Sequence, residues 1–184
     1  MTASGSRDLT PPEITVVVSN DVVAVDDALA VVHDEFVDMG YMEPQASGRR
    51  MHQAYLNPGT VFVVARIDGV TVGTLAMVAD GPFGLPADRA FAEELDDLRR
   101  TGRDVLEVGS LAIRREWRRH TRRIYLRMLA ATVRATWERH PDAHMVLAIA
   151  PENVRFTAGL FRCDILSGAR PLYRAPAGLP RTDD

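Results

Sequence analysis

Apolar positions along the chain fall into two alternating periods. Val25, Leu29, Val32 and Phe36 recur every three or four residues. With Asn20 or Asp21 as a cap and Gly40 as a stop, that spacing predicts a helix. Ahead of it, Ile14 to Val18 reads as a short strand. Thr60 to Ile67 and Val70 to Ala79 are apolar runs of strand length, and the Asp68-Gly69 pair between them is a two-residue hairpin signal. Residues 40–59 read as a loop with one helical piece around Arg49 to Tyr55.

The second half repeats the alternation. Gly81 to Pro86 is turn-rich, and Pro86 suits the first turn of a short helix with Phe91, Leu95 and Leu98 inward, ended by Gly102. Asp104 to Ile113 is a strand. Arg118 to Arg139 is a long helix, for which Leu126, Leu129, Val133 and Trp137 are the expected buried stripe and Arg123, Arg127 and Arg134 the outer one. Met145 to Ala150 reads as a strand, Glu152 to Phe161 as a helix and Asp164 to Tyr173 as a final strand. This order predicts an α/β domain over residues 14–174, a mixed sheet with helices on both faces and a helical insertion at about 81–102. Residues 1–13 are polar with a double proline and are expected to be disordered; the Pro/Gly-rich tail 175–184 is expected to be loose.

Composition narrows the classes. The 184 residues suit one domain, with 46% hydrophobic and 26% charged positions. A net charge of -3 argues against a dedicated nucleic-acid binder. Lysine is absent, so all 22 basic residues are arginines. Cys163 stands alone and cannot form an intramolecular disulfide, which fits a reducing cytoplasm. Nothing in the sequence reads as a signal peptide or a membrane span. The five histidines show no metal-ligand spacing, so no metal is expected.

The stretch Asp104 to Arg123 carries the chemistry. Glu107 lies inside an apolar strand, on the same alternating face as Val105, Gly109, Leu111 and Ile113. A carboxylate there is costly to bury without a task or a partner. It is a candidate general base, its pKa raised by apolar walls; the alternative is a structural glutamate paired with an arginine such as Arg66. Beyond the strand lie seven arginines between Arg114 and Arg127, with Glu116 the one acid among them. A cationic segment at a helix start suits an anionic ligand; the alternative is a solvated helix face.

The element order resembles the GNAT acyltransferase superfamily. More narrowly, the chain resembles the N-acyl amino acid synthases, relatives of the acyl-homoserine-lactone synthases. The resemblance rests on Gly40-Tyr41-Met42, the strand GTLAMVAD, Gly84-Leu85-Pro86 with its helix, LEVGSLAI, Asn153-Val154-Arg155-Phe156 and Gly168 to Tyr173. It implies transfer of an acyl group from acyl carrier protein, or less readily coenzyme A, to the amine of an amino acid or similar small molecule. Glu107 would be the base. Leu111, Ala112 and Ile113 would offer backbone groups to the pantetheine arm, in a cleft between strands 104–113 and 145–150.

The resemblance places Arg118, Arg119, His120, Thr121, Arg122 and Arg123 where GNAT enzymes carry a glycine-rich pyrophosphate loop. Arg118 matches that pattern; Arg119, Thr121 and Arg123 replace its small residues, which favours an acidic carrier protein over coenzyme A. Tyr41 and Met42 would face the acceptor. Phe83, Leu85, Phe91 and Leu95, with Leu98, would line the acyl site or simply pack. Thr157 stands where relatives have a tyrosine that protonates the leaving thiolate. Alternatives are a catalytically impaired binding or scaffold module and an acyl-homoserine-lactone-type synthase. Relatives continue with another apolar strand, so an open sheet edge makes a homodimer a further expectation.

Overall fold

The computed structural model describes residues 11–170. The elements in chain order are β1 (Thr15–Ser19), α1 (Val22–Asp38), β2 (Val61–Ile67), β3 (Val70–Ala79), α2 (Asp88–Arg99), β4 (Val105–Ile113), α3 (Thr121–Arg139), β5 (His144–Val146) and α4 (Pro151–Phe161). Single 3-10 turns cover Gln53–Leu56 and Arg115–His120. The five strands lie in the order β1-β2-β3-β4-β5, antiparallel except for the parallel pair β4 and β5.

Local chemistry explains the elements. Asp21 caps α1, its Oδ1 accepting from the Val23 and Ala24 N–H groups at 3.1 and 3.0 Å. The hairpin forms as its turn chemistry predicts, with Asp68 and Gly69 both at positive φ and Ile67 opposite Val70. The helical piece expected around Arg49 to Tyr55 is one short 3-10 turn, Gln53–Leu56.

The sheet is covered on both faces. On one, Ala24, Ala28 and Leu29 of α1 and Leu95 of α2 pack with Phe62, Val64, Ala76, Val78 and Val105. On the other, Ile124, Met128 and Ala135 of α3 pack on Val61, Val63, Val72, Leu75 and Met77.

That second layer reverses an expectation. Leu126, Val133 and Trp137 are not the buried stripe of α3; they are 44, 46 and 73% exposed. The helix carries two apolar stripes on opposite sides, both at helical spacing, and the sheet takes the one with Ile124 and Met128. Leu126, Leu129, Ala130, Val133 and Trp137 form a shallow apolar groove on the outside. The arginines expected outside, Arg123, Arg127 and Arg134, are all exposed, and Arg127 donates to the Ile14 carbonyl at 3.0 Å.

Two further readings change. The strand expected over 145–150 is shorter, and its pairing with β4 stops at Glu107 opposite Val146. Helix α3 begins at Thr121 rather than Arg118. Of the final strand expected over 164–173, residues 164–170 are not in a strand. Residues 171–173 and the tail lie outside the described residues, as do residues 1–10. Among the described residues no helix is long and apolar enough to cross a membrane.

The two stripes of α3 have different energetic weight. Met128→Ala, at a fully buried site, is expected to cost about 2–5 kcal/mol in urea unfolding. Leu126→Ala on the outer stripe is expected to stay within about 0.5 kcal/mol of wild type. Equal losses at the two sites would contradict this packing.

Candidate active site

Glu107 sits where the sheet comes apart. Its residue pairs with Val78 on one side and Val146 on the other, and the β4–β5 ladder ends there. Past that point, the backbone edge of β4 facing residues 147–150 has no partner strand among the described residues. The two strands therefore part company at a carboxylate.

Three residues further on, β4 is bulged. Thr74 faces Ala112 and Ala76 faces Gly109, so Leu75 alone stands opposite Ser110 and Leu111. Ser110 takes up the extra residue at φ 51°, a left-handed conformation uncommon for a non-glycine residue and frequent at functional sites. The bulge also inverts the alternation of the strand. Before it, Val105 packs with α1 and α2 while Val108 packs with α3; after it, Ala112 packs on Val31, Val32 and Phe36 of α1, and Ile113 packs toward α3. The single shared face expected for Glu107, Leu111 and Ile113 therefore does not exist, and Leu111 is 43% exposed.

Glu107 is 3% exposed. Its Oε2 accepts the Ala87 backbone N–H at 2.8 Å, and a Cβ on Gly109 would stand 3.8 Å from Oε1. Arg66, the alternative partner, is elsewhere: it donates to Asp27 at 3.1 Å and to Thr71. Burial pushes Glu107 up to about 7; the Asp88 charge adds to the rise, while the Ala87 N–H and the Arg50 charge oppose it. Near neutral pH this group both holds and accepts a proton readily.

The Ala87 N–H is held in place from two sides. Asn57 is buried, donates to the Ala79 and Gly84 carbonyls at 2.9 and 2.7 Å, and accepts from Phe83 N–H at 2.9 Å. Arg99 grips Asp80 and Asp88 with two hydrogen bonds each, at 2.7–3.0 Å. Asp88 in turn accepts from Leu85 N–H at 2.6 Å. Burial alone would raise the Asp88 carboxyl, yet Arg99 and this N–H hold it below the ordinary aspartate range. The loop leaves little room: a Cβ on Gly81 would meet Asn57 Oδ1 at 2.8 Å. Gly84, at φ +64°, would meet Asp88 Oδ2 at 2.6 Å.

A second polar group lies at the bulge. Arg50 Nη1 donates to Tyr55 Oη at 2.8 Å and to Ser110 Oγ at 3.2 Å, and the two hydroxyls lie 2.6 Å apart. The guanidinium carbon stands 5.0 Å over the Phe36 ring, which packs edge-on to Tyr41 at 5.6 Å. Sequence reading missed Arg50, Tyr55 and Ser110, because an arginine in a loop and a serine in a strand carry no periodic signal.

The other expected site residues divide. Tyr41 is half exposed, and Met42 packs beside Phe36. Leu85 and Leu95 are core residues on the Glu107 side of the sheet, with Phe91 partly buried against them. Phe91 has non-helical backbone angles, a kink in α2. Phe83 is 44% exposed, and Thr157 is half-buried on α4, a helix whose described side chains are none of them fully buried.

Arg118, Arg119 and His120 form the 3-10 turn leading into α3, with Thr121, Arg122 and Arg123 as the first helical turn. No side chain caps this helix start. Glu35 holds the turn from behind, accepting from Arg115 N–H at 3.0 Å. Arg118, Arg119, Arg122 and Arg123 are exposed. Four exposed guanidinium groups thus lie within two turns of the start of α3.

Comparison with known proteins gives this geometry a family context. The family model for N-acyl amino acid synthase FeeM matches residues 27–183. Among solved structures, FeeM, an N-acyl amino acid synthase from uncultured soil microbes, superposes with a TM-score of 0.61 at 18% identity, over 80% of this chain and 77% of that one. An acetyltransferase from Trypanosoma brucei gives 0.55 at 12% identity, over 86% and 98%. A predicted acetyltransferase with acetyl-CoA from Clostridium acetobutylicum gives 0.54 at 14% identity, over 83% and 91%. These likenesses show a GNAT-like fold. None of the curated proteins compared matches the chain.

The raised pKa of Glu107 is also a stability effect. In the unfolded chain the carboxyl ionises in the ordinary range; in the folded protein it stays protonated until about 7. Between those limits the folded state binds more protons, so stability is present at low pH and is lost as pH rises through the window. Wild-type stability minus that of Glu107→Gln is expected to fall by about 3 kcal/mol from about pH 4.5 to about pH 8. A flat difference in urea titrations would show an ordinary carboxylate.

Proposed function

The chain belongs to the N-acyl amino acid synthase FeeM family and is an N-acyltransferase; from that premise we propose that Glu107 is its general base and a carrier-bound acyl thioester its donor. The observation that carries this reading is a buried carboxyl of pKa about 7 at the point where β4 and β5 part. The pantetheine arm lies in the gap, along the unpaired backbone of β4 near Leu111, Ala112 and Ile113. The acceptor amine attacks the thioester carbonyl, a C–N bond forms, the C–S bond breaks, and the proton lost by nitrogen goes to Glu107, directly or through water. The thiol has an ordinary pKa near 8.5, so it leaves as thiolate without a strong acid at Thr157.

The donor's source follows from the arginines. Coenzyme A and an acyl carrier protein share the phosphopantetheine arm; one of the similar structures holds acetyl-CoA. In this chain a 3-10 turn with exposed Arg118 and Arg119 leads into a first turn of α3 with exposed Arg122 and Arg123, in place of small residues that close on a pyrophosphate. That surface suits the carboxylates of an acidic carrier protein, with the arm's phosphate at the helix start. The acceptor is an amino acid, and the reaction takes place in the cytoplasm.

Mass spectrometry of the protein with a ladder of acyl carrier proteins, matched acyl-coenzyme A species and pooled amino acids is expected to yield an N-acyl product. Glu107→Gln is expected to slow its formation by roughly 100-fold or more. Arg118→Glu with Arg122→Glu is expected to raise KM for the carrier-bound donor at least about 10-fold, and to leave turnover of an acyl-pantetheine fragment near wild type. Full activity in Glu107→Gln would sink the base assignment; a preference for coenzyme A donors would sink the carrier assignment.

A further inference from the structure

Resting on the amino-acid acceptor just proposed, we infer that Arg50 is the receptor for the acceptor's α-carboxylate. Its place in the fold gives the first reason. Arg50 reaches the bulge of β4, hydrogen-bonding Ser110 three residues beyond Glu107, and its charge acts on the Glu107 carboxyl. A zwitterionic amino acid carries its two charges on adjacent atoms of one small frame. A guanidinium beside a carboxylate is complementary to that pair: the substrate carboxylate goes to Arg50 and the ammonium to Glu107.

Pre-organisation gives the second reason. Tyr55 Oη and Ser110 Oγ hold Nη1, and the Phe36 ring supports the guanidinium from one face. A guanidinium fixed in this way has little ordering left to do when it meets a carboxylate. The left-handed backbone at Ser110 acquires a use here, because it aims Oγ at Arg50 while the same strand carries Glu107.

The neighbouring residues give the third. Phe36 also packs against Tyr41, with Met42 beside it. Arg50 therefore lies next to the segment expected from sequence to face the acceptor, and a side chain attached to the same α-carbon would meet Tyr41 and Met42.

The test is a comparison of acceptors. Each of the pooled protein amino acids and its decarboxylated amine is offered with one acyl donor to wild type, Arg50→Lys and Arg50→Met, and binding of both compounds is read separately by ligand-detected NMR. Wild type is expected to favour the amino acid over its amine by roughly 10- to 100-fold in kcat/KM, the worth of a charge-assisted pair. In Arg50→Met that preference is expected to fall to near unity through KM for the amino acid, with KM for the donor near wild type; the lost Arg50 charge also lets the Glu107 pKa rise, so both acceptors are compared at the pH plateau of each variant. Arg50→Lys is expected to restore part of the preference.

A preference in Arg50→Met that stays at the wild-type value on the pH plateau would overturn the assignment and make Arg50 a strut for Tyr55 and Ser110. Absence of product from wild type with any acceptor would instead sink the transferase reading. The NMR arm separates the two failures: amino acid that binds wild type, with Arg50→Met losing it and neither binding the amine, supports the receptor even then, and equal binding to all three proteins overturns it.

Discussion

A single main-chain hydrogen bond, from Ala87 N–H to Glu107, holds together the chemically demanding part of this molecule. A carboxyl in an apolar sheet face needs at least one donor, and the Arg50 charge opposes the effect of burial only in part. The donor comes instead from a loop of the helical insertion, and much of the surrounding structure serves to keep that loop in place. Asn57 ties it to β3, Arg99 ties its two aspartates together, and two glycines allow the close approach. The pKa of Glu107 is thus a product of position: burial raises it, and one N–H keeps the rise moderate.

The β4 bulge supplies the other half of the site. One extra residue at Ser110 turns the end of the strand over, so that Ala112 can close the α1 side of the core while Ile113 serves the α3 side. The same irregularity brings a serine hydroxyl to Arg50. The parting of β4 from β5 begins at Glu107, before the bulge, so the gap and the polar cluster share one strand but face different needs. The gap is main chain, suited to an extended arm with amides. The cluster is side chain, suited to charge.

Where local chemistry decides structure, the sequence was readable. Asp21 announces a helix start, Asp68-Gly69 announces a hairpin, and both appear as expected. Glu107 stood out because an acid in an apolar strand is costly, and it is the buried, perturbed group found. Where two arrangements satisfy the same period, the sequence was silent. Helix α3 offers Ile124 and Met128 on one side and Leu126, Val133 and Trp137 on the other, and the sheet's choice between them is a tertiary matter. The bulge was hidden too, because Gly-Ser-Leu-Ala in a strand announces no extra residue. Without it, the alternation past Ser110 is read with the wrong parity, and Arg50, sixty positions upstream, has no visible reason to be there.

Because the donor to Glu107 is a peptide N–H, it is indifferent to which side chain occupies position 87. Proline alone would delete it outright. Mutational drift there can alter packing, but it leaves the hydrogen bond standing. Asp88, by contrast, acts on Glu107 through its charge and owes its own ionisation to Arg99. Descendants of this sequence therefore have a bond safeguarded against change at position 87, whereas a change at Asp88 or Arg99 alters both the charge that Glu107 feels and the loop that carries its donor.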